Sequence, residues 1–252
     1  MICNPPWKPA IRPGGSVETR ERMLSDLTPQ TLLRRYLLTR PTPPAMRHYL
    51  ETPLPRLRQY LSEVELLALD FETTGLDPRS EAILSIGYVV IRDNRILLRE
   101  SAHHQIQVNT PIPEQSVRIH HITDQRAQRG EHLSQIMPTL LDAMAGRVLL
   151  AHHAGIECGF INAACRRLYG YPLPMRVIDT LALERCRAAR RHVTLTAGQL
   201  RLFNLRQQYG LPRYQAHNAL IDAIATAELY LVQLAQIKGD DSDIRLRDLM
   251  AR

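Results

Sequence analysis

Three groups of residues carry side chains whose types and spacing could do chemistry. The first is Asp70-Phe71-Glu72-Thr73-Thr74-Gly75-Leu76, in which two carboxylates stand two apart at the end of the apolar run Glu65 to Phe71. On a strand, residues two apart share a face, so Asp70 and Glu72 project together. Like charges held that close repel each other unless a cation lies between them, and hard divalent ions with oxygen ligands are the usual solution. Alone, an Asp-x-Glu pair is equally the polar end of a strand.

The second group is His217-Asn218-Ala219-Leu220-Ile221-Asp222, at the start of a long apolar segment. A histidine before or in the first helical turn can accept a proton from an attacking water near neutral pH, and an aspartate on the helix behind it can complete a metal shell. The third is Ala151-His152-His153-Ala154-Gly155-Ile156-Glu157-Cys158-Gly159-Phe160-Ile161, where a strand gives way to a helix. Glu157 falls in the first turn, which the helix dipole favours for a carboxylate. The adjacent pairs His103-His104, His120-His121 and His152-His153 do not suggest zinc, because neighbouring side chains diverge and no ligand spacing is present.

The elements that must position these groups follow from hydrophobic period. Glu65 to Phe71, Ala82 to Arg92, Ile96 to Val108, Arg147 to Ala151 and Met175 to Ile178 read as five strands. Leu133 to Ala145, Ile156 to Tyr169, Thr196 to Tyr209 and Ala219 to Ile237 read as helices. Pro138 falls near the start of the first of these, Gly170 stops the second, and Asp179 stands where a helix N-cap belongs. Three strands in sequence, followed by strand and helix in alternation, predict an α/β fold with a mixed five-stranded sheet flanked by helices.

In their order along the chain, D-x-E-T-T-G-L, A-H-x-A-x-x-E-x-x-F and H-N-A-L-x-D-A resemble the DEDDh exonucleases, the family of the proofreading (epsilon) subunit of bacterial DNA polymerase III. The resemblance covers about residues 63–236, with supporting echoes at Ile122-Thr123 and Val177-Ile178-Asp179-Thr180-Leu181. The His-x4-Asp spacing resembles the histidine branch. The resemblance implies a ribonuclease H-like fold and removal of nucleotides from a 3′ end. It further implies that Asp70, Glu72 and Asp222 bind two Mg²⁺ or Mn²⁺ ions, that His217 is the general base, and that Thr73, Leu76 and His153 lie at positions that meet the terminal nucleotide. The family's second motif normally carries Asp where this chain has Glu157, and often Asn where it has His153. Glutamate keeps the charge on a side chain one methylene longer, so Glu157 is counted with the catalytic carboxylates.

Composition frames these readings. The chain has 252 residues, 44% of them hydrophobic and 23% charged, as in ordinary globular proteins. The sequence shows no apolar run of the roughly 18 residues a membrane helix needs, and Met1 to Gly15 lacks the apolar core of a secretory signal. Cys3, Cys158, Cys165 and Cys186 form no C-x-x-C pair, which suits reduced thiols in a cytoplasmic protein. Formal net charge is +7, and all the basic residues but Lys8 and Lys238 are arginine. Arginine favours bidentate phosphate contacts, so nucleic acid is the partner the charge supports.

The charge is uneven. Residues 1–60 carry a net +6 and ten of the 17 prolines, whereas the remainder carries +1. A basic, proline-rich extension with helices at Leu27 to Leu38 and Leu54 to Leu61 therefore precedes a catalytic domain over 61–238 and a short tail over 239–252. The apolar residues in those two segments argue for packing onto the domain more than for a purely electrostatic arm.

Two further stretches read blandly. Gln199 to Phe203 resembles a sliding-clamp peptide but lies where a core helix is predicted, and the basic run Arg185 to His192 reads as a solvated loop. The sequence thus points to a metal-dependent 3′–5′ exonuclease acting on nucleic acid, with DNA ahead of RNA and no membrane role. The rival readings are a catalytically weak nucleic-acid-binding or adaptor module of the same fold, and an RNA-trimming exoribonuclease. No replication or repair partner is identified, and the residues after Gly239 are too few for a polymerase-binding domain.

Overall fold

In the computed structural model, which describes residues 28–120, 122–238 and 244–250, the apolar run Leu66–Thr73 forms β1 at the centre of a five-stranded sheet. The other strands are β2 (Ile83–Arg92), β3 (Arg95–Gln105), β4 (Val148–Ala151) and β5 (Val177–Asp179), in the order β3-β2-β1-β4-β5. The pairs β1–β2 and β2–β3 are antiparallel, while β1–β4 and β4–β5 are parallel. This is the mixed sheet predicted from the sequence. β1 is buried on both faces, which is why it reads as a continuous apolar run. Leu67, Leu69 and Phe71 enter one core and Leu66 and Ala68 the other.

The helices are α1 (Pro29–Leu38), α2 (Pro44–Glu51), α3 (Glu114–His120), α4 (Asp124–Gln128), α5 (Leu133–Met144), α6 (Gly155–Tyr169), α7 (Thr180–Arg190), α8 (Leu202–Gln208), α9 (Ala219–Lys238) and α10 (Leu246–Leu249). α5 and α6 cover the first face. Leu37 of α1 and Met46, Tyr49 and Leu50 of α2 join the same core, and the Tyr49 hydroxyl donates to the Pro174 carbonyl at 2.8 Å. α9 covers the opposite face, where Leu246 and Leu249 of α10 close the second core. Gly170 ends α6 with φ of 82°, a left-handed turn that glycine enters without steric cost.

Several local expectations change. Leu54 to Leu61 is not helical: Pro53 and Pro55 flank its start, and regular structure returns only as a 3₁₀ turn at Leu61–Glu63. The helix lies earlier, at α2. The predicted helix Thr196 to Tyr209 shrinks to α8, because Gln199 Oε1 accepts the Thr196 N–H at 2.8 Å and closes a turn before it. Gln199 to Phe203 is therefore mostly turn rather than helix, with Leu200 buried. Most of the basic run Arg185 to His192 lies in α7 rather than in a loop. Asp179 caps that helix by accepting the Leu181 N–H at 2.9 Å, and Leu181, Glu184 and Ala188 bury its inner face. The short helices α3 and α4 carry too little periodicity to be read. Pro138 is accommodated inside α5.

The Ala219–Ile237 segment meets the length and hydropathy expected of a membrane-crossing helix, with a mean hydropathy of 1.3, although the sequence reading found no such run. Ala227, Tyr230 and Leu234 spend that apolarity against the sheet, as a core helix does. Among the described residues no cysteine forms a disulfide, and burial pushes the Cys158 and Cys165 thiols up to about 12. His121 and the first 27 residues of the basic extension, with Cys3 and Leu27 among them, lie outside the described residues.

Candidate active site

The alternation of β1 decides where the first carboxylates go. Asp70 and Glu72 continue the row of Leu66 and Ala68, on the face that α9 covers. Gly87 stands opposite Asp70 on β2. A Cβ at Gly87 would lie 2.1 Å from the Ala219 carbonyl carbon and the Leu220 nitrogen. Only glycine lets the first turn of α9 sit there, and that turn carries Asp222. The carboxylate oxygens of Asp70, Glu72 and Asp222 consequently lie within 4.8 Å of one another.

His217 enters from the same helix start. Asn218 accepts the Ile221 N–H on its side chain at 3.2 Å, an N-cap, while His217 before it takes the left-handed region at φ of 69°. The Asp222 carboxylate accepts the His217 backbone N–H at 3.0 Å. The His217 imidazole is exposed. The loop leading to it is anchored by Arg206, which is buried. Its guanidinium donates to the Ala225 carbonyl at 2.8 Å and the Pro212 carbonyl at 3.0 Å, pairs with Glu228 at 2.7 Å and lies over the Tyr214 ring.

The acidic cluster is electrostatically loaded. Burial raises the Asp70 carboxyl well above the usual range, and the charges of Glu157, Asp222 and Glu72 raise it further. Burial and then Glu72 push Asp222 up to about 7. Burial and then the charge of Asp179 push Glu157 up to about 8. Glu72 Oε1, Asp222 Oδ1 and Glu157 Oε2 are buried without hydrogen-bond partners. Buried polar atoms are ordinarily satisfied, so orphaned oxygens on neighbouring acids fit a divalent cation.

Glu157 stands in the first turn of α6 beyond the end of β4. That strand end is tied to α7: Asp179 accepts the N–H groups of His153 at 2.9 Å and Ala154 at 3.2 Å. His152 Nε2 donates to the Leu200 carbonyl at 2.8 Å, leaving Nδ1 to accept from Thr180 Oγ1 at 2.8 Å, so this histidine is a structural crosslink. His153 is exposed and in the left-handed region. Leu76 is 74% exposed, an apolar side chain left in solvent just beyond the end of β1. Thr73 spends its hydroxyl on the Gly75 carbonyl at 2.7 Å. No described contact ties the side chains of Thr73, Leu76 or His153 to the carboxylates.

One residue at the cluster is named in the sequence analysis only as half of an adjacent histidine pair that does not suggest zinc. His120, at the end of α3, places Nδ1 against Glu72 Oε2, and its ring meets that of His217 edge-on at 5.7 Å. The signal available was its place two residues before Ile122-Thr123, between the first two motifs.

Residues 67–230 match the family model described as Exonuclease. The chain is 33% identical over 172 residues to DNA polymerase III subunit epsilon of Treponema pallidum, covering 68% of this chain and 77% of that protein. It is 30% identical over 182 residues to the PolC-type DNA polymerase III of Thermotoga petrophila, covering 71% of this chain. This chain spans only 13% of that polymerase's length. Among solved structures, E. coli exonuclease I in complex with a dA16 oligonucleotide aligns with a TM-score of 0.61 at 17% identity, over 71% of this chain and 42% of that one. The nuclease domain of 3′hExo, a DEDDh family member bound to rAMP, aligns with a TM-score of 0.58 at 16% identity, over 73% and 96%. The ribonuclease H-like fold is thereby established.

Proposed function

This chain belongs to the DEDDh exonuclease family, and on that premise we propose that it is a metal-dependent 3′–5′ exonuclease acting on single-stranded DNA. Asp70, Glu72 and Asp222 would hold two Mg²⁺ or Mn²⁺ ions, with Glu157 adding charge beside Asp70. When bound, paired divalent ions lower the pKa of a water and screen the charge that builds on the attacking and leaving oxygens. His217 accepts the proton of the attacking water; its exposure leaves the imidazole open to solvent and substrate. Asp222, through the His217 N–H, fixes the backbone from which that imidazole projects. Thr73, Leu76 and His153 border the terminal nucleotide, the exposed Leu76 offering an apolar surface to a base.

The observation that carries this reading is the convergence of Asp70, Glu72 and Asp222, with orphaned buried oxygens, beside an exposed histidine on the same helix start. We place the protein in the cytoplasm, where reduced thiols and nucleic acid coexist. A replication or repair complex is the setting suggested by relatives named as DNA polymerase III. Residues 1–60 serve as an extension, 61–238 as the catalytic domain and 239–252 as a tail.

The test is hydrolysis of 5′-labelled single-stranded DNA and RNA with Mg²⁺, Mn²⁺ or EDTA, resolved by fragment length. A ladder shortening from the 3′ end on DNA, abolished by EDTA, is expected. Fragments of fixed internal length would reject the exonuclease reading. A ladder on RNA alone would select the exoribonuclease, and binding without cleavage would select the adaptor module, for which the longer Glu157 side chain is the structural motive.

A further inference from the structure

Glu72 belongs to two sets of potential ligands. One is the oxygen-only set with Asp70 and Asp222. The other joins Glu72 to His120 and His217, whose ligand atoms also lie within 4.8 Å of one another. The two sets differ in chemistry. Carboxylate oxygens suit Mg²⁺ and Mn²⁺, whereas imidazoles suit Zn²⁺ and other late divalent ions, which also bind nitrogen donors more strongly overall. Two imidazoles and one carboxylate, with the fourth position left to water, form a known zinc ligand set. Tetrahedral zinc with bonds of ~2.1 Å sets ligand atoms about 3.4 Å apart, a separation that falls within the span of the trio.

A second observation points to a ligand here. Glu72 is 3% exposed, and its Oε1 is buried with no hydrogen-bond partner. Its other oxygen already faces His120 Nδ1. The trio is also assembled from three separate elements: β1, the end of α3 and the residues preceding α9. The edge-on arrangement of the two imidazoles lets their nitrogens converge on one point without ring overlap.

We propose that Glu72, His120 and His217 form a distinct Zn²⁺ site that competes with the oxygen-only set for Glu72. Zinc there occupies the His217 lone pair and withdraws Glu72 from the magnesium set, so it inhibits Mg²⁺-supported hydrolysis. The inhibition rests on the role proposed for His217; the binding does not.

The experiment measures binding first. Zn²⁺ is titrated calorimetrically into the full chain, free of other metals, as wild type and as His120→Asn. Loss of even a group that merely supports a zinc ligand typically costs about 10–100-fold in affinity, so the variant should bind zinc at least ~10-fold more weakly. An unchanged affinity in a folded His120→Asn overturns the proposal. X-ray absorption of the zinc-loaded wild type needs no variant: two imidazoles in the shell support the site, and fewer overturn it. In the nuclease assay, wild type should lose Mg²⁺-supported activity on zinc addition at concentrations that leave His120→Asn active. If the assay shows no nuclease activity at all while zinc still binds through His120, the exonuclease reading fails and the site stands.

Discussion

The His217 backbone N–H donates to the Asp222 carboxylate at 3.0 Å, so the histidine and one acid of the cluster belong to a single capped helix start. Displacing that turn moves both at once. Gly87 is the point on β2 against which the turn rests.

Asp222→Asn keeps the acceptor for the His217 N–H and removes the charge. Hydrolysis should fall to background, while the metal-free melting temperature stays equal or rises, because a repelling carboxylate is gone. Near-wild-type turnover in this variant would remove Asp222 from the metal set.

His217→Ala should slow hydrolysis by about 10²–10⁴-fold near neutral pH, the usual worth of general-base assistance. Mn²⁺ binding, followed by calorimetry, should persist. A pH–rate profile identical to that of wild type would exclude the histidine from proton transfer.

Burial places the folded pKa values of Asp222 and Glu157 at about 7 and about 8, above their unfolded values. An acid with a raised folded pKa stabilises the fold fully below its unfolded value, near ~4, and that contribution is lost as pH rises through the folded value. The metal-free protein should therefore melt lower at about pH 8.5 than at about pH 5.5. Glu157→Gln should flatten that dependence, and Mg²⁺ should restore stability at the alkaline end. A metal-free melting temperature that rises across this range would contradict the assignment.

Arg206 is 1% exposed and paired with Glu228, so Arg206→Met strands a partly buried carboxylate. Such a break costs about 3–5 kcal/mol, whereas the double variant with Glu228→Met should recover part of it. Denaturant unfolding of the two single variants and the double one measures the coupling. Strict additivity would show that the pair does not anchor the loop before His217.

Leu50 is fully buried in the core shared with Leu140 and Leu141. Leu50→Ala should destabilise by about 2–5 kcal/mol. A chain beginning near Leu61 should melt lower than the full chain, with the salt dependence of nucleic-acid binding unchanged. A flattened salt slope at an unchanged melting temperature would instead make residues 1–60 a phosphate-binding arm.

The sequence by itself determined the five strands, α5, α6 and α9, and the nearness of Asp70 to Glu72 and of His217 to Asp222. Those features are local: Asp70 and Glu72 share a face because strands repeat every two residues, and His217 and Asp222 meet because five residues span one helix start. It also placed Asp179 at the N-cap that starts α7, but it did not determine where α8 begins, because Thr196 and Gln199 form side-chain bonds that outweigh weak periodicity. Nor did it reveal His120 at Glu72, Gly87 beneath α9 or the buried Arg206. Each of these acts through a partner distant in the chain, and neither period nor spacing encodes such a partner. Only the packing of α3, α8 and α9 around the sheet brings those groups together, because the close approach of two backbones and the burial of a charge are decided where elements meet.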